Sequence, residues 1–350
     1  MALPHNFYNN PQAYMGYVGF VRFRPSSALG AVPQDGYIIR AKSADINVKQ
    51  EITKPDIIDS RYDRTVYQLG PKEIDGSIEF PAVYDSGWGV GVSTDKAGIC
   101  ECLYKHTIKR NNGILYDFPI DVKYAPSHSA PNESEFTYYG CIVNNWTFSV
   151  ANQDVVSIKI DIIGLTREFG TLSTPSASSL TNNKVGNTRA VTWNDARVEL
   201  LAGSRGGFNT LSGQYIRSFE ATINNNAQRF YTLNGQLYAQ ALAPTKRDIT
   251  GKVVLMGRHK DLAALAWDNE KFASEDTKIR FGYLGRSNSG AATIARGFGC
   301  QLPNVICQIE EMSLTNDLFE TTVNWHSLPA SCDLYDYLYN FDGETIGYTF

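Results

Sequence analysis

Ile74-Asp75-Gly76-Ser77-Ile78-Glu79-Phe80 and Ile249-Thr250-Gly251-Lys252-Val253-Val254-Leu255 decide how this chain is read. Each has the every-second-residue apolar spacing of a strand with one buried face, and each carries glycine in its third place. Ile74 lies over Ile249 at a shift of 175 residues. The same shift carries Ala44, Ile46 and Val48 onto Phe219, Ala221 and Ile223, which also alternate with polar residues. Upstream it carries Val18-Gly19-Phe20-Val21-Arg22-Phe23 onto Trp193-Asn194-Asp195-Ala196-Arg197-Val198, arginine on arginine. Further on the shift falls to 159: Gly140-Cys141 meets Gly299-Cys300, and Trp146, Phe148 and Val150 meet Val305, Cys307 and Ile309. Two copies of one β-rich module in a single chain suggest a protein that replaces two subunits of a symmetric assembly.

Working outward, the alternation continues through Val156, Ile158, Ile160 and Ile162, which follow Trp146–Val150 across a turn at Asn152-Gln153-Asp154. Its second copy runs from Val305, Cys307 and Ile309 to Phe319, Thr321, Val323 and Trp325. Both read as half-buried antiparallel hairpins. Each half also shows one helical spacing: Ile99, Cys102, Leu103 and His106, then Leu262, Leu265, Ala266, Asn269 and Phe272. The stretch 172–187 is poor in apolar residues and rich in Ser, Thr and Asn, as a linker is. The expected fold class is mainly β: two tandem β-sandwich or small β-barrel modules, each with one flanking α-helix. The first domain spans 1–171, the linker 172–187, and the second domain with its C-terminal tail 188–350.

At 350 residues the chain supplies two cores of ordinary size. Its 32 basic and 36 acidic residues give a formal charge of −4, which argues against a protein held on nucleic acid by a basic face. A mildly acidic wall past which DNA slides is compatible with that charge. The N-terminus Met1-Ala2-Leu3-Pro4-His5-Asn6 lacks the order of a signal peptide, and no stretch approaches 18 apolar residues, so no membrane span is expected. Six cysteines, at 100, 102, 141, 300, 307 and 332, sit mostly in apolar stretches and read as reduced, buried thiols.

Nothing in the sequence singles out a catalytic, cofactor or metal site. Gly87, Gly89 and Gly91 lack the strand-to-helix context of a dinucleotide fingerprint. Gly203-Ser204-Arg205-Gly206-Gly207 has neither the phosphate-loop nor the nucleophile-elbow order and reads as a turn. Cys102 and His106 form an i, i+4 pair beside Cys100, but no second Cys/His pair completes a zinc set. The histidines at 5, 106, 128, 259 and 326 are scattered, and carboxylates such as Asp59, Asp63 and Asp75 stand singly. The expectation is a protein without enzymatic activity or cofactor.

Thr192-Trp193-Asn194-Asp195-Ala196-Arg197-Val198 is followed by Phe219-Glu220-Ala221-Thr222-Ile223-Asn224-Asn225-Asn226 with Arg229, then by Arg247-Asp248-Ile249-Thr250-Gly251-Lys252-Val253. This order resembles the tail tube proteins of tailed bacteriophages: a strand ending in Asn, a long loop, a Gly-containing strand and a helix beside a small β-barrel. The first half shows it more weakly, with Lys49-Gln50 in place of Asn224-Asn225. The resemblance implies stacked rings of six tube domains around a channel for DNA and the tape-measure protein. With two fused domains, three chains would complete a ring. Implied partners are further copies of itself, the tape-measure protein, transiting double-stranded DNA, tail-terminator and baseplate or hub proteins, and a sheath protein if the tail contracts. The implied location is the virion, after synthesis in the host cytoplasm. Two other readings stand beside it: a hub or tail-completion ring of the same fold, and a soluble carbohydrate-binding double β-sandwich.

The segments 49–73 and 224–248 have the same length, although loops drift in length more readily than strands. The first is charged, with Lys54, Asp56, Asp59, Arg61, Asp63 and Arg64. The second is nearly uncharged between Arg229 and Lys246 and carries Phe230, Tyr231, Leu233, Leu237, Tyr238 and Leu242. Each could be an ordinary hairpin packed on its own domain; the resemblance implies instead that both are arms that dock on an adjacent ring.

Overall fold

The computed structural model describes residues 20–24, 37–39, 41–53, 68–82, 107, 110–111, 114–123, 135–169, 190–201, 216–256, 278–283, 298–302, 305–314, 319–327 and 337–338. The first half contributes β1 (Phe20–Phe23), β2 (Tyr37–Ile39), β3 (Ser43–Thr53), β4 (Gln68–Pro81), β5 (Arg110–Asn111), β6 (Ile114–Leu115), β7 (Phe118–Lys123), β8 (Glu135–Ala151), β9 (Ser157–Gly164) and β10 (Thr166–Phe169). The second contributes β11 (Ala196–Leu201), β12 (Ile216–Asn224), β13 (Gln228–Phe230), β14 (Ala241–Ala243), β15 (Asp248–Met256), β16 (Lys278–Tyr283), β17 (Phe298–Leu302), β18 (Val305–Leu314), β19 (Phe319–Ser327) and β20 (Tyr337–Leu338). The fold is mainly β, and its described strands pair antiparallel, with one isolated parallel bridge between Lys72 and Tyr238. Both expected helices, the linker 172–187 and the glycine clusters at 87–91 and 203–207 lie outside the described residues.

Eight strands run side by side in the order β3-β4-β9-β8-β12-β15-β19-β18. The first four come from the first half and the last four from the second. The pairing of β3 on β4 sets Ala44 opposite Ile78, Ile46 opposite Gly76 and Val48 opposite Ile74. In β12 on β15 the corresponding pairs are Phe219 with Val253, Ala221 with Gly251 and Ile223 with Ile249, each residue 175 positions later.

The closing hairpins correct the sequence alignment. Ile160 lies between Ile78 and Trp146, and Val323 lies between Val253 and Ile309. Trp146 therefore occupies the place of Ile309, a shift of 163 rather than 159. The two shifts differ by two full strand repeats, so a period-two pattern fits either equally well. The hairpin turn itself falls where the sequence puts it, with Gln153 at φ 66°.

A second layer packs on the core face of this sheet. In the first half β1, β7, the N-terminal part of β8 and β10 pair in that order, with β2 outside β1. In the second, β11, β16, β17 and β20 pair in the matching order. Strand β8 serves both layers. It bends at Gly140 (φ 61°), where a Cβ would lie 2.6 Å from Leu165, and again at a bulge between Val143 and Asn145. In the second half β17 and β18 divide that work, and Pro303, which has no N–H to give a ladder, stands between them in sequence.

One core runs through both halves. Phe281 of β16 lies with its ring centroid 5.2 Å from that of Phe148 in β8 and 5.2 Å from that of Phe219 in β12. It thus bridges the two halves from above their shared seam. Trp146 and Trp325 are completely buried. Gly251 is glycine because Trp325 and the Glu220 carbonyl occupy the space a Cβ would need. Its counterpart Gly76 is pressed by Ile46, 2.7 Å from an ideal Cβ.

The matched arginines do not share a partner. Arg22 and Arg24 bind the buried carboxylate of Asp121 at 2.7 and 2.8 Å, and Thr137 also donates to it at 2.9 Å. Across from Arg197 stands Gly282, and Arg197 turns instead to the carbonyls of Asn194 and Ala196.

Candidate assembly surface

The face of the eight-stranded sheet turned away from the core is polar because alternate side chains must point there. One row across it reads Asp45, Ser77, Asp161, Asn145, Asn224, Asp248. The next reads Ser43, Glu79, Lys159, Thr147, Thr222, Thr250, His326. Short contacts hold the rows together: Asn145 donates to Asp161 at 3.1 Å, the hydroxyls of Thr147 and Thr222 meet at 3.1 Å, and Lys159 sits 3.6 Å from Asp161. Among the described residues Asp45, Glu73, Asp161, Glu220 and Asp248 outweigh Lys49, Lys159 and Lys252, while Asp75, Glu79 and Glu320 pair with Arg229, Lys42 and Arg217. The net sign of this face is negative.

The seam between β8 and β12 is locked at one end by Asn225, a fully buried side chain. Its amide donates to the carbonyls of Thr107 (2.9 Å) and Val143 (3.0 Å), and its backbone N–H donates to the Asn144 carbonyl at 2.8 Å. The Asn144 side chain in turn accepts from the N–H of Ala227 at 2.8 Å. Asn226, at φ 46°, turns the chain and donates to the Lys246 carbonyl and to Asp248, both at 2.8 Å.

From this knot β13 and β14 form a hairpin that lies over the first half. Ala227 and Leu242 pack on Leu115, Ile142 and Ile163. Arg229 binds the Asp75 carboxylate and donates to the Ile74 carbonyl at 2.8 Å. The Tyr231 hydroxyl donates to Glu73 at 3.3 Å, and burial, then the Glu73 charge, raise its pKa. The N–H of Lys72 donates to the Leu237 carbonyl at 2.7 Å, and its ammonium sits 5.3 Å from the centre of the Tyr238 ring. The root of this arm is therefore a strap between the two halves of one chain, a contact that the expectation of an arm docked on an adjacent ring does not include. Between Arg229 and Tyr231 the Phe230 side chain points away from the strap, 49% exposed, and Leu233 beyond it is fully exposed. Of the first arm, 54–67 lies outside the described residues; its described root carries the opposed, exposed pair Ile52 and Leu69, one step before the last pair, Thr53 and Gln68.

At the other end of the seam an open cleft of about 660 Å³ lies between Val150, Val155, Phe219 and the Lys42–Glu79 pair. Its charges answer one another rather than converge on a ligand. Lys42 and Glu79 meet at 2.9 Å, and Ser157 donates to Glu79 at 3.0 Å. The hydrogen bond from Lys42 holds the Glu79 carboxyl below its ordinary range, and that same bond raises the lysine.

Among the described residues no three His, Cys, Asp or Glu side chains gather as metal ligands. No described helix is long and apolar enough to cross a membrane. His326 is exposed on the polar face opposite Thr250. The other four histidines, Cys100, Cys102, Asp59 and Asp63 lie outside the described residues. Cys141, Cys300 and Cys307 are buried thiols. The sequence reading names Asn225 and Arg229 within a pattern but gives neither a role; only the fold brings Val143, Asp75 and Thr107 to them.

A family model described as phage tail tube protein matches residues 18–293. No curated protein matches the chain.

Proposed function

Because the chain belongs to the phage tail tube protein family, a structural component of the virion tail, we propose that three copies close into a ring and that such rings stack into the tube. Each copy supplies two tube domains, 1–171 and 188–350, joined by the linker 172–187. The reading rests on one observation: β8 and β12 join the two four-stranded units edge to edge. Among the described strands, β3 pairs with β4 alone and β18 with β19 alone. Strand β3 stands to its unit as β12 stands to the other, and β18 stands as β8 does. A second copy can therefore repeat at β18 the junction already made inside the chain. A heterologous contact of this kind closes a ring when its rotation divides the circle. Six units, the number the resemblance implies, require about 60° each.

The polar face would then line the channel. Its negative sign repels phosphate, so duplex DNA passes along it without being held or read. The exposed arm tips around Phe230 and Leu233 are the apolar protrusions available for stacking. Tape-measure, tail-terminator and baseplate or hub proteins complete the set of partners, with a sheath protein if the tail contracts. The protein acts without catalysis or cofactor and is made in the host cytoplasm. Electron microscopy of the purified protein tests this. Long tubes are expected; isolated rings would favour a hub or tail-completion ring, and dispersed single chains would favour the carbohydrate-binding alternative.

A further inference from the structure

The internal seam also specifies the register of the contact between copies. On its core side Trp146, Phe148 and Val150 face Ile223, Ala221 and Phe219; on its polar side Asn145, Thr147 and Ser149 face Asn224, Thr222 and Glu220. The shared register of β12 on β15 and β3 on β4 carries the β12 residues to Lys49, Val48, Asn47, Ile46, Asp45 and Ala44. Tracing the β8 residues through β9 and β19 carries them to Gln308, Ile309, Glu311, Met312, Ser313 and Leu314.

Resting on the ring reading, we infer that a second copy of this chain adds its β3 to β18 with Val48 opposite Ile309, Ile46 opposite Met312 and Ala44 opposite Leu314. The polar positions then pair Lys49 with Gln308, Asn47 with Glu311 and Asp45 with Ser313. All six positions match in kind, apolar with apolar and polar with polar. The match depends on Glu310, the extra residue of the bulge between Ile309 and Glu311. Without that bulge Glu311 would stand opposite Ile46, a buried core position, and a strand slipped by one residue exchanges its two faces entirely. Lys49 falls diagonally opposite Glu311, within reach of a long side chain. The Tyr138 hydroxyl already donates to the Ile46 carbonyl at 3.2 Å, and a carbonyl keeps a second lone pair for a neighbouring strand.

Disulfide trapping in the full chain tests the register. Directly opposed cross-strand residues have Cβ atoms about 4.5–5.5 Å apart, close to disulfide geometry. Under mild oxidation the assembled Asp45→Cys/Ser313→Cys variant should link chain to chain, at least about tenfold faster than Asn47→Cys/Ser313→Cys, whose thiols are diagonal. Assembled rings that link faster in the second variant would overturn the register while leaving the ring intact. Linking by Asp45→Cys alone would mean β3 pairs with itself, and would overturn the inference too. A readout on the unaltered protein guards against a variant that fails to fold: backbone amides of 44–48 and 309–314 should gain hydrogen-exchange protection on assembly. Rings without that gain would overturn the edge contact, and a wild-type protein that stays a single chain would overturn the ring reading beneath it.

Discussion

Asn225 and Val143 are 82 residues apart in sequence, and the side-chain amide of one donates to the carbonyl of the other at 3.0 Å inside the seam that joins the two halves. The same amide serves Thr107 at 2.9 Å, so one buried side chain satisfies two carbonyls that no water reaches. In Asn225→Ala both lose that donor. The expected cost is about 1–3 kcal/mol, read as a lower midpoint in urea with an unchanged slope. An unchanged midpoint would mean the seam does not depend on this knot.

Gly251 lies against the indole of Trp325 and the Glu220 carbonyl. In Gly251→Ala the methyl group meets a fully buried ring and a backbone atom, neither of which has an end free to swing aside. Overpacking of this kind costs about 1–3 kcal/mol, so the thermal midpoint should fall. The paired variant Gly251→Ala/Trp325→Phe should recover part of the loss, since a smaller ring vacates the space.

Burial pushes the Cys307 thiol up to about 12, and burial, with Asp117 nearby, raises Cys141 as well. Both stay protonated in the folded protein at pH 8, and the thiol is not the nucleophile. Alkylating reagents should therefore spare these two until denaturant is added. The sign of the pH effect follows: a raised pKa contributes stability below the ordinary thiol value of 9.0, and that contribution is lost as pH climbs from there. Rapid labelling of Cys307 in the native protein would contradict its buried setting.

The second arm has a root that straps the two halves together and an exposed apolar part beyond it. Replacing Phe230 and Leu233 with Ser leaves Asn225, Arg229, Ala227 and Leu242 in place, so the fold and the closed rings should persist. Stacking should be lost, seen as rings without tubes by electron microscopy. Tubes of normal length from this variant would remove the tip from the stacking contact.

Much of the sheet was legible because one of its faces is buried: Ile74, Ile78, Trp146, Ile158, Phe219 and Val253 announce their strands by alternation alone. The 175-residue shift places β12 and β15 over β3 and β4 because glycine at 76 and 251 breaks the monotony of the repeat. The closing hairpins carry no such marker, and alternation alone fits them equally well four residues out of register. The seam was not legible at all. Nothing in the pattern of β8 or β12 says that they pair, since edge and central strands with one buried face alternate alike. Arg229 reaching Asp75, and Asn225 reaching Val143, are products of that pairing, so their roles emerge only once the two halves meet.

Native mass spectrometry of the smallest closed species counts the chains in one ring. The chain weighs 38.9 kDa, and three chains sharing six tube domains should give three times that mass, with tubes adding in whole multiples of it. A closed species of two or of six chains would rule out a ring of three.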